Sequence, residues 1–497
     1  MYFMEFTYFC SFKSCKMRNR ITTIILLCIF MAISGCGKIE PDPITPPEPD
    51  KPQVNPPAEK PSWPEDKQGK AYIWDRASIP EICINISVSN WNFLLSSYDK
   101  KPDISSYVSC NVVFDNEENI DTVKLAGIRI RDNADGARPE GNKGSNHSPT
   151  EKSWNFCNFE IDFDRYKEGS TLRNVGGIFL KSCINDPSYA RERYCYDLLE
   201  RYGIWTISRN QYCRLSIHVE GDSSPAYIGV YQMIEPVDDS YILDREKRFE
   251  GSDGFIWRCS NGATLTNFGI SASADKGNGE NGIYLLMNNP ESLSAASAQL
   301  TDFISKLNKL RGKEFQGWII SVCDVKLLLR TYAVIATVGM YDDYWNTGNN
   351  YYLYFNSKSQ DDYEVFFIPH DFEKSLGNID SDIMRDPGNA DPYTWGNKNL
   401  PLISKLLQFE EFRDIYTEAL RELILPEAYL FDYGYSLNTI KDFMYQVSFY
   451  TANDTGILMS AKDRPSGWNS FDYNLTQDND RNFFKVRSKA IKAAIGE

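Results

Sequence analysis

The residues best suited to chemistry lie between positions 341 and 377, in YDDYWNTGNNYYLYFNSKSQDDYEVFFIPHDFEKSLG. Two carboxylates (Asp342, Asp343) and two amides (Asn349, Asn350) precede two aromatic-rich apolar runs, 351–355 and 365–368; Asp371 and Glu373 follow them. Bounded apolar runs of this length, rich in Tyr, Phe and Val, favour strands. If they pair through the polar segment 356–362, the entry of the first and the exit of the second fall at one end of a hairpin, where the carboxylates and amides converge. Such a focus of oxygen ligands suits a hard divalent cation, Mg²⁺ or Mn²⁺, which favours carboxylate, carbonyl and phosphate oxygens. The same residue types also form turns and solvated hairpin ends, so a metal site and a structural turn both stay open at this point.

The chain that must position these groups has 497 residues, room for one large domain or two or three ordinary ones. Its hydrophobic content of 42%, with 14% aromatics, is ample for a core. The net charge of −15, with both signs interspersed, argues against nucleic acid as a partner, which would want a basic face. Of the 12 cysteines, those at 10, 15, 28 and 36 fall in the leader; the rest form no C-x-x-C pair. With only 3 histidines (His147, His218, His370), a zinc site is not indicated, nor is a nucleophile–histidine hydrolase. Several remaining cysteines sit in apolar runs and read as small buried core residues.

Arg18 and Arg20 precede an apolar run, 21–33, that ends in Ser34-Gly35-Cys36. A basic start, a short apolar stretch and small residues mark a secretory signal rather than a membrane span. The Ile-Ser-Gly-Cys end resembles the lipobox of bacterial lipoproteins, which implies lipidation of Cys36 and removal of 1–35, with Met17 as an alternative start. The expected location is the bacterial cell envelope, lipid-anchored, facing the periplasm or the surface. Residues 37–69 form a proline-rich tether (PDPITPPEPDKPQVNPPAEKPSWPED over 41–66), too stiff and extended to pack a core. The remaining stretch, 70–497, is the expected folded domain.

Within it, segments 80–88, 108–114, 124–131, 154–163, 176–181, 206–220, 227–234 and 254–259 read as strands. Helical spacing follows Asp186-Pro187-Ser188 and recurs over 293–311, 324–338, 401–425, 435–452 and 483–494. Strands dominate before about residue 260 and helices after it, predicting an α+β chain with its β-rich part first.

Several pieces then carry a family resemblance, in order. Gly127-Ile-Arg-Ile-Arg131 comes first, then Lys152-Ser153-Trp154 leading to Asp162-Phe163. Asn185-Asp186-Pro187-Ser188 follows, with Arg191-Glu192 and Tyr196-Asp197-Leu198. Tyr227-Ile-Gly-Val-Tyr231, Glu235-Pro-Val-Asp238 and Gly254-Phe-Ile-Trp257 precede Asp342, Asn349-Asn350 and Pro369-His370-Asp371-Phe372-Glu373. Over about 79–425 the chain resembles the spore-coat-protein-H-like (CotH) family of atypical protein kinases.

The resemblance implies a bilobal protein-kinase-like fold, with a β-rich N-terminal lobe and a helical C-terminal lobe. It implies transfer of the ATP γ-phosphate, with Mg²⁺ or Mn²⁺, to Ser or Thr of an exported or surface protein. By position, Asp371 matches the metal-binding aspartate, Asp342 the catalytic-loop aspartate with Asp343 competing, and Asn349 or Asn350 the metal-binding amide. Lys152 matches a basic position facing the phosphates, with Glu192 as its helix partner; Glu235 falls at an adenine-facing hinge, and Arg131 opens the nucleotide loop. That loop, Arg131-Asp132-Asn133-Ala134, departs from the family's Arg-Gly-Asn-Ser-like pattern, and His370 stands where the family often has Trp. The rival expectation is a pseudokinase scaffold acting as a surface binding or adhesion lipoprotein.

Overall fold

Alternation of buried and outward residues shapes the first half of the chain. The computed structural model describes residues 69–497, except 134–135, 151–152, 267–270, 381–382, 384 and 457–470. The chain divides into two units, 1–53 and 54–497. The first lies wholly outside the described residues, as do Cys36, the tether through residue 68 and Lys152.

Seven strands, β1 (Glu81–Ile86), β2 (Val108–Asp115), β3 (Ile120–Ile130), β4 (Phe159–Asp162), β5 (Gly177–Ser182), β6 (Asn210–Val219) and β7 (Ala226–Ile234), close into a barrel in the order β1-β2-β3-β4-β5-β7-β6. Parallel pairing of β1 with β6, Ile82 beside Leu215 and Ile84 beside Ile217, shuts the ring. Every second residue of β1 is buried, and Ile82, Ile84 and Ile86 join Val112, Phe114, Ile128 and Leu215 in the interior. A barrel of this size is just wide enough for side chains to fill.

β5 is buried on both faces. Ile178 and Leu180 belong to the barrel core, whereas Phe179 belongs to the larger core outside it. The two-residue period of a strand therefore sets Lys181 on the outer face with Phe179. Against that side packs the helix Arg191–Arg201. Its start is organised by Asp186, which accepts from the Arg191 backbone N–H (2.9 Å) and from the Ser188 hydroxyl (2.6 Å).

Beyond the barrel, β8 (Phe255–Cys259), β9 (Ala272–Ala274), β10 (Tyr284–Leu286), β11 (Tyr351–Phe355) and β12 (Val365–Pro369) form a second sheet, ordered β12-β11-β8-β10-β9. The helices Leu293–Lys309 and Val325–Val338 pack against it, and Gly312–Val322, Glu410–Ile424 and Phe483–Ile495 pack on those helices, around the largest core. Among the described residues, no helix is long and apolar enough to cross a membrane.

The α+β class holds, and the expected hairpin is present as β11 and β12. The expected strand over 154–163 shrinks to Phe159–Asp162, because Asn155 and Phe156 bond back to Pro139 and Ala137 within the preceding loop. A clean division into a β-rich and a helical lobe is not seen. The early strands close on themselves, a second sheet sits among the later helices, and residues 54–497 form one unit.

Candidate active site

A lysine near the end of an apolar strand organises the site. The Lys181 ammonium bonds the Asp371 carboxylate and lies 3.0 Å from Glu192 and 3.4 Å from Glu373. Its side chain is only 4% exposed. Glu192, in the first turn of the helix Arg191–Arg201, also accepts from the Phe372 backbone N–H at 3.3 Å. Phe372 is fully buried, edge-on to Tyr196 of the same helix, and Asn185 donates to Glu373 at 3.1 Å. Strand, helix and the segment after β12 are thus locked around one charge.

The hairpin supplies the rest. Tyr351 pairs with Pro369, and the His370 N–H donates to the Asn350 carbonyl at 3.1 Å, so 349–350 and 370–371 lie side by side. Asn350 (φ 59°) and Asp371 (φ 58°) are left-handed, a conformation Asn and Asp tolerate better than most side chains. Asp342 accepts from the Thr347 hydroxyl (2.8 Å), the Asn349 amide (3.1 Å) and the Asn350 amide (3.1 Å). Asp342, Asn349, Asn350, Lys181, Asp371 and Glu373 all line one cavity of about 530 Å³. Asp343 does not. It is 1% exposed and caps the turn Tyr344–Thr347, accepting from the backbone N–H groups of Trp345 and Asn346.

Burial would raise the Asp371 carboxyl, but the adjacent Lys181 ammonium outweighs it and holds it below the usual range. Burial, only partly offset by Lys181, pushes Glu192 up to about 7. Asp342 is raised by burial, against its bonds from Thr347 and Asn349, which makes it a better proton acceptor than a solvated aspartate. Burial lowers His370 to about 4, so it adds no positive charge near neutral pH.

The other residues singled out from sequence fall elsewhere. Arg131 does not line the cavity: with Arg129 it is held in a buried network by Glu160 (2.8 Å) and Asp275 (3.3 Å), which joins the barrel to the second sheet. Glu235 is likewise outside, accepting from Arg209 and Arg245 and held down at about 2 because these arginines outweigh its burial. Lys152 and Cys36 lie outside the described residues. Glu192 has Lys181 as a partner. Sequence reasoning passed over Lys181; the signal was a single cation in the run Gly177–Ser182, eleven positions before a helix glutamate. It also passed over Arg258 on β8, whose guanidinium meets Asp132 at the cavity wall.

The donor set fits a divalent cation. Three carboxylates crowd one ammonium, and Asp342 faces the same space, leaving negative charge in excess. Among the described residues no group of three His, Cys, Asp or Glu side chains is placed to hold a metal ion by itself. Mg²⁺ needs none: it is usually held by one or two carboxylates, with waters and substrate phosphates completing its shell.

Comparison with protein families matches residues 138–433 to the family described as CotH kinase protein. No match is found among curated proteins. The matched stretch contains Lys181, Glu192, Asp342, both asparagines and Asp371, but begins after β3 and ends at the first residue of the helix Tyr433–Ser448, leaving out the last helix as well. On that match, with the lysine and the aspartates lining one cavity and Glu192 paired to the lysine, the chain belongs to the CotH kinase protein family.

Proposed function

We propose that this chain is a kinase that transfers the γ-phosphate of ATP to Ser or Thr hydroxyls of an exported protein, and that it works at the bacterial envelope. One observation carries the reading: Lys181 is shared between Glu192 and Asp371 in the cavity that also holds Asp342 and the two asparagines. Protein kinases use a strand lysine paired with a helix glutamate, a metal-binding aspartate, and an aspartate with an asparagine on the catalytic loop. The order of elements (lysine strand, glutamate helix, two strands, then the catalytic segments) is that of a kinase-like chain. The run ending at Cys36 supports lipid anchoring.

Asp371, with an amide oxygen of Asn349 or Asn350, would hold Mg²⁺. The ion supplies charge neutralisation for the phosphates, the main requirement of phosphoryl transfer. Lys181 brings a fixed positive charge, and Glu192 keeps it aimed. Asp342 would orient the acceptor hydroxyl and take its proton.

A second reading, a catalytically weak scaffold used for binding at the surface, draws on Asp132. Its carboxylate occupies Arg258 at the cavity wall, where a phosphate would otherwise compete for that guanidinium. The two readings separate on Asp342→Asn beside Asp343→Asn, assayed for labelled phosphate transfer and for ATP affinity. Asp342→Asn is expected to lower transfer by roughly 10²–10⁴-fold with ATP affinity unchanged. Asp343→Asn keeps a competent cap and should transfer almost normally. Wild type that binds Mg-ATP yet transfers to nothing would favour the scaffold.

A further inference from the structure

A second concavity, of about 690 Å³, adjoins the catalytic segment on another side. Asp342 faces the first cavity, while its neighbours Tyr341, Trp345 and Asn346 line the second. Whatever occupies the second is therefore held within a few residues of Asp342. The opposite wall carries Tyr393, Arg385, Lys398 and Arg413.

Three cations there face one lining carboxylate, Asp391, which already accepts from the Tyr393 backbone N–H at 2.9 Å. None of the three cations is within ion-pair distance of a carboxylate among the described residues. Arg385 donates one N–H to Asn346 Oδ1 at 3.1 Å, and Arg413 lies over the Tyr393 ring at 4.7 Å. Arg413 and Lys398 are exposed. In a chain of net charge −15, a groove with a local excess of unpaired positive charge stands out against its surroundings. Its aromatic walls suit the backbone and side chains of an extended polypeptide, and its charge selects against a basic one.

We propose that this groove docks the acceptor protein, and that the acceptor segment is acidic, with Asp or Glu flanking the Ser or Thr presented to Asp342. The proposal deepens the kinase reading, since it names the substrate class of that site. Charge complementarity of this kind sets specificity and encounter rate more than affinity, so the preference should weaken as salt rises.

Binding alone tests it, apart from catalysis. A fluorescent serine peptide flanked by glutamates, and the same peptide with lysines, would be titrated with the full chain by anisotropy. The acidic peptide is expected to bind tighter, and Arg385→Gln with Arg413→Gln to weaken it about tenfold, with Mg-ATP affinity unchanged. Should Arg385→Gln disturb the Asn346 contact, the exposed pair Lys398→Gln and Arg413→Gln removes charge without touching the core, and a smaller loss of the same sign is expected. Equal binding of the two peptides, or binding indifferent to both double variants, would overturn the proposal. Acidic-peptide binding by a chain that transfers no phosphate would uphold the groove and tell against the kinase reading instead.

Discussion

Lys181 is the residue on which the chemistry turns, because one buried carboxylate, Glu192, and two partly buried ones, Asp371 and Glu373, depend on one ammonium. Removing it leaves them uncompensated in a low-dielectric setting, which costs roughly 3–5 kcal/mol as well as the phosphate contact. Lys181→Met is therefore expected to abolish phosphate transfer and to lower the melting temperature. Lys152→Met should leave both nearly as they are. A transfer assay paired with thermal unfolding checks this; loss of transfer in Lys152→Met with Lys181→Met active would return the role to Lys152. That Lys181 was not singled out in the sequence has a physical reason. Lys181 and Asp371 are 190 positions apart, and nothing local in a strand reading Gly-Ile-Phe-Leu-Lys-Ser announces a carboxylate from the far end of the chain. Asp342, Asn349, Asn350 and Asp371, all within 30 positions, were legible because one hairpin brings them together.

At the level of elements, the segment between the helix Val325–Val338 and β11 is a tight assembly in which each cap holds the next. Asp343 caps the turn Tyr344–Thr347, and Gly348 leaves it at φ 69° to deliver Asn349 and Asn350. A Cβ at Gly348 would sit 3.1 Å from the Thr264 backbone N in addition to the left-handed strain. Gly348→Ala should therefore cost about 1 kcal/mol or more of stability and displace the two asparagines. Metal-dependent ATP affinity should drop by more than the stability loss alone explains; calorimetry on the variant at a temperature where it is folded would show whether it does. The hairpin was legible because its aromatic runs are short, continuous and bounded by polar residues. The barrel was not: its closure rests on parallel pairing of β1 with β6, some 130 positions apart, which no local period encodes. Nor could a strand be excluded over 154–158, where alternating residues pair within a folded-back loop.

On the scale of the whole molecule, the family match ends at residue 433, but the fold does not. Phe483, Phe484 and Ile491 of the last helix are fully buried in the largest core, and Arg487 donates to the carbonyls of Ala336 and Ala390. Three such apolar side chains alone are worth roughly 5–9 kcal/mol, comparable to the entire stability of a domain. A chain ending at 433 should accordingly fail to give a cooperative thermal transition. Function depends on the same integration, because the cavity draws its wall from the barrel at Lys181 and Ser182, from the second sheet at Arg258, and from the segments flanking the hairpin at once. The most direct test is a calorimetric titration of ATP into the full chain, with Mg²⁺ and with chelator, for wild type and for Asp371→Asn, which tolerates the left-handed backbone there. Binding by wild type only with the metal, lost in Asp371→Asn while the circular dichroism spectrum is unchanged, is the predicted result. ATP binding that ignores the metal, or that survives the substitution undiminished, would contradict the account.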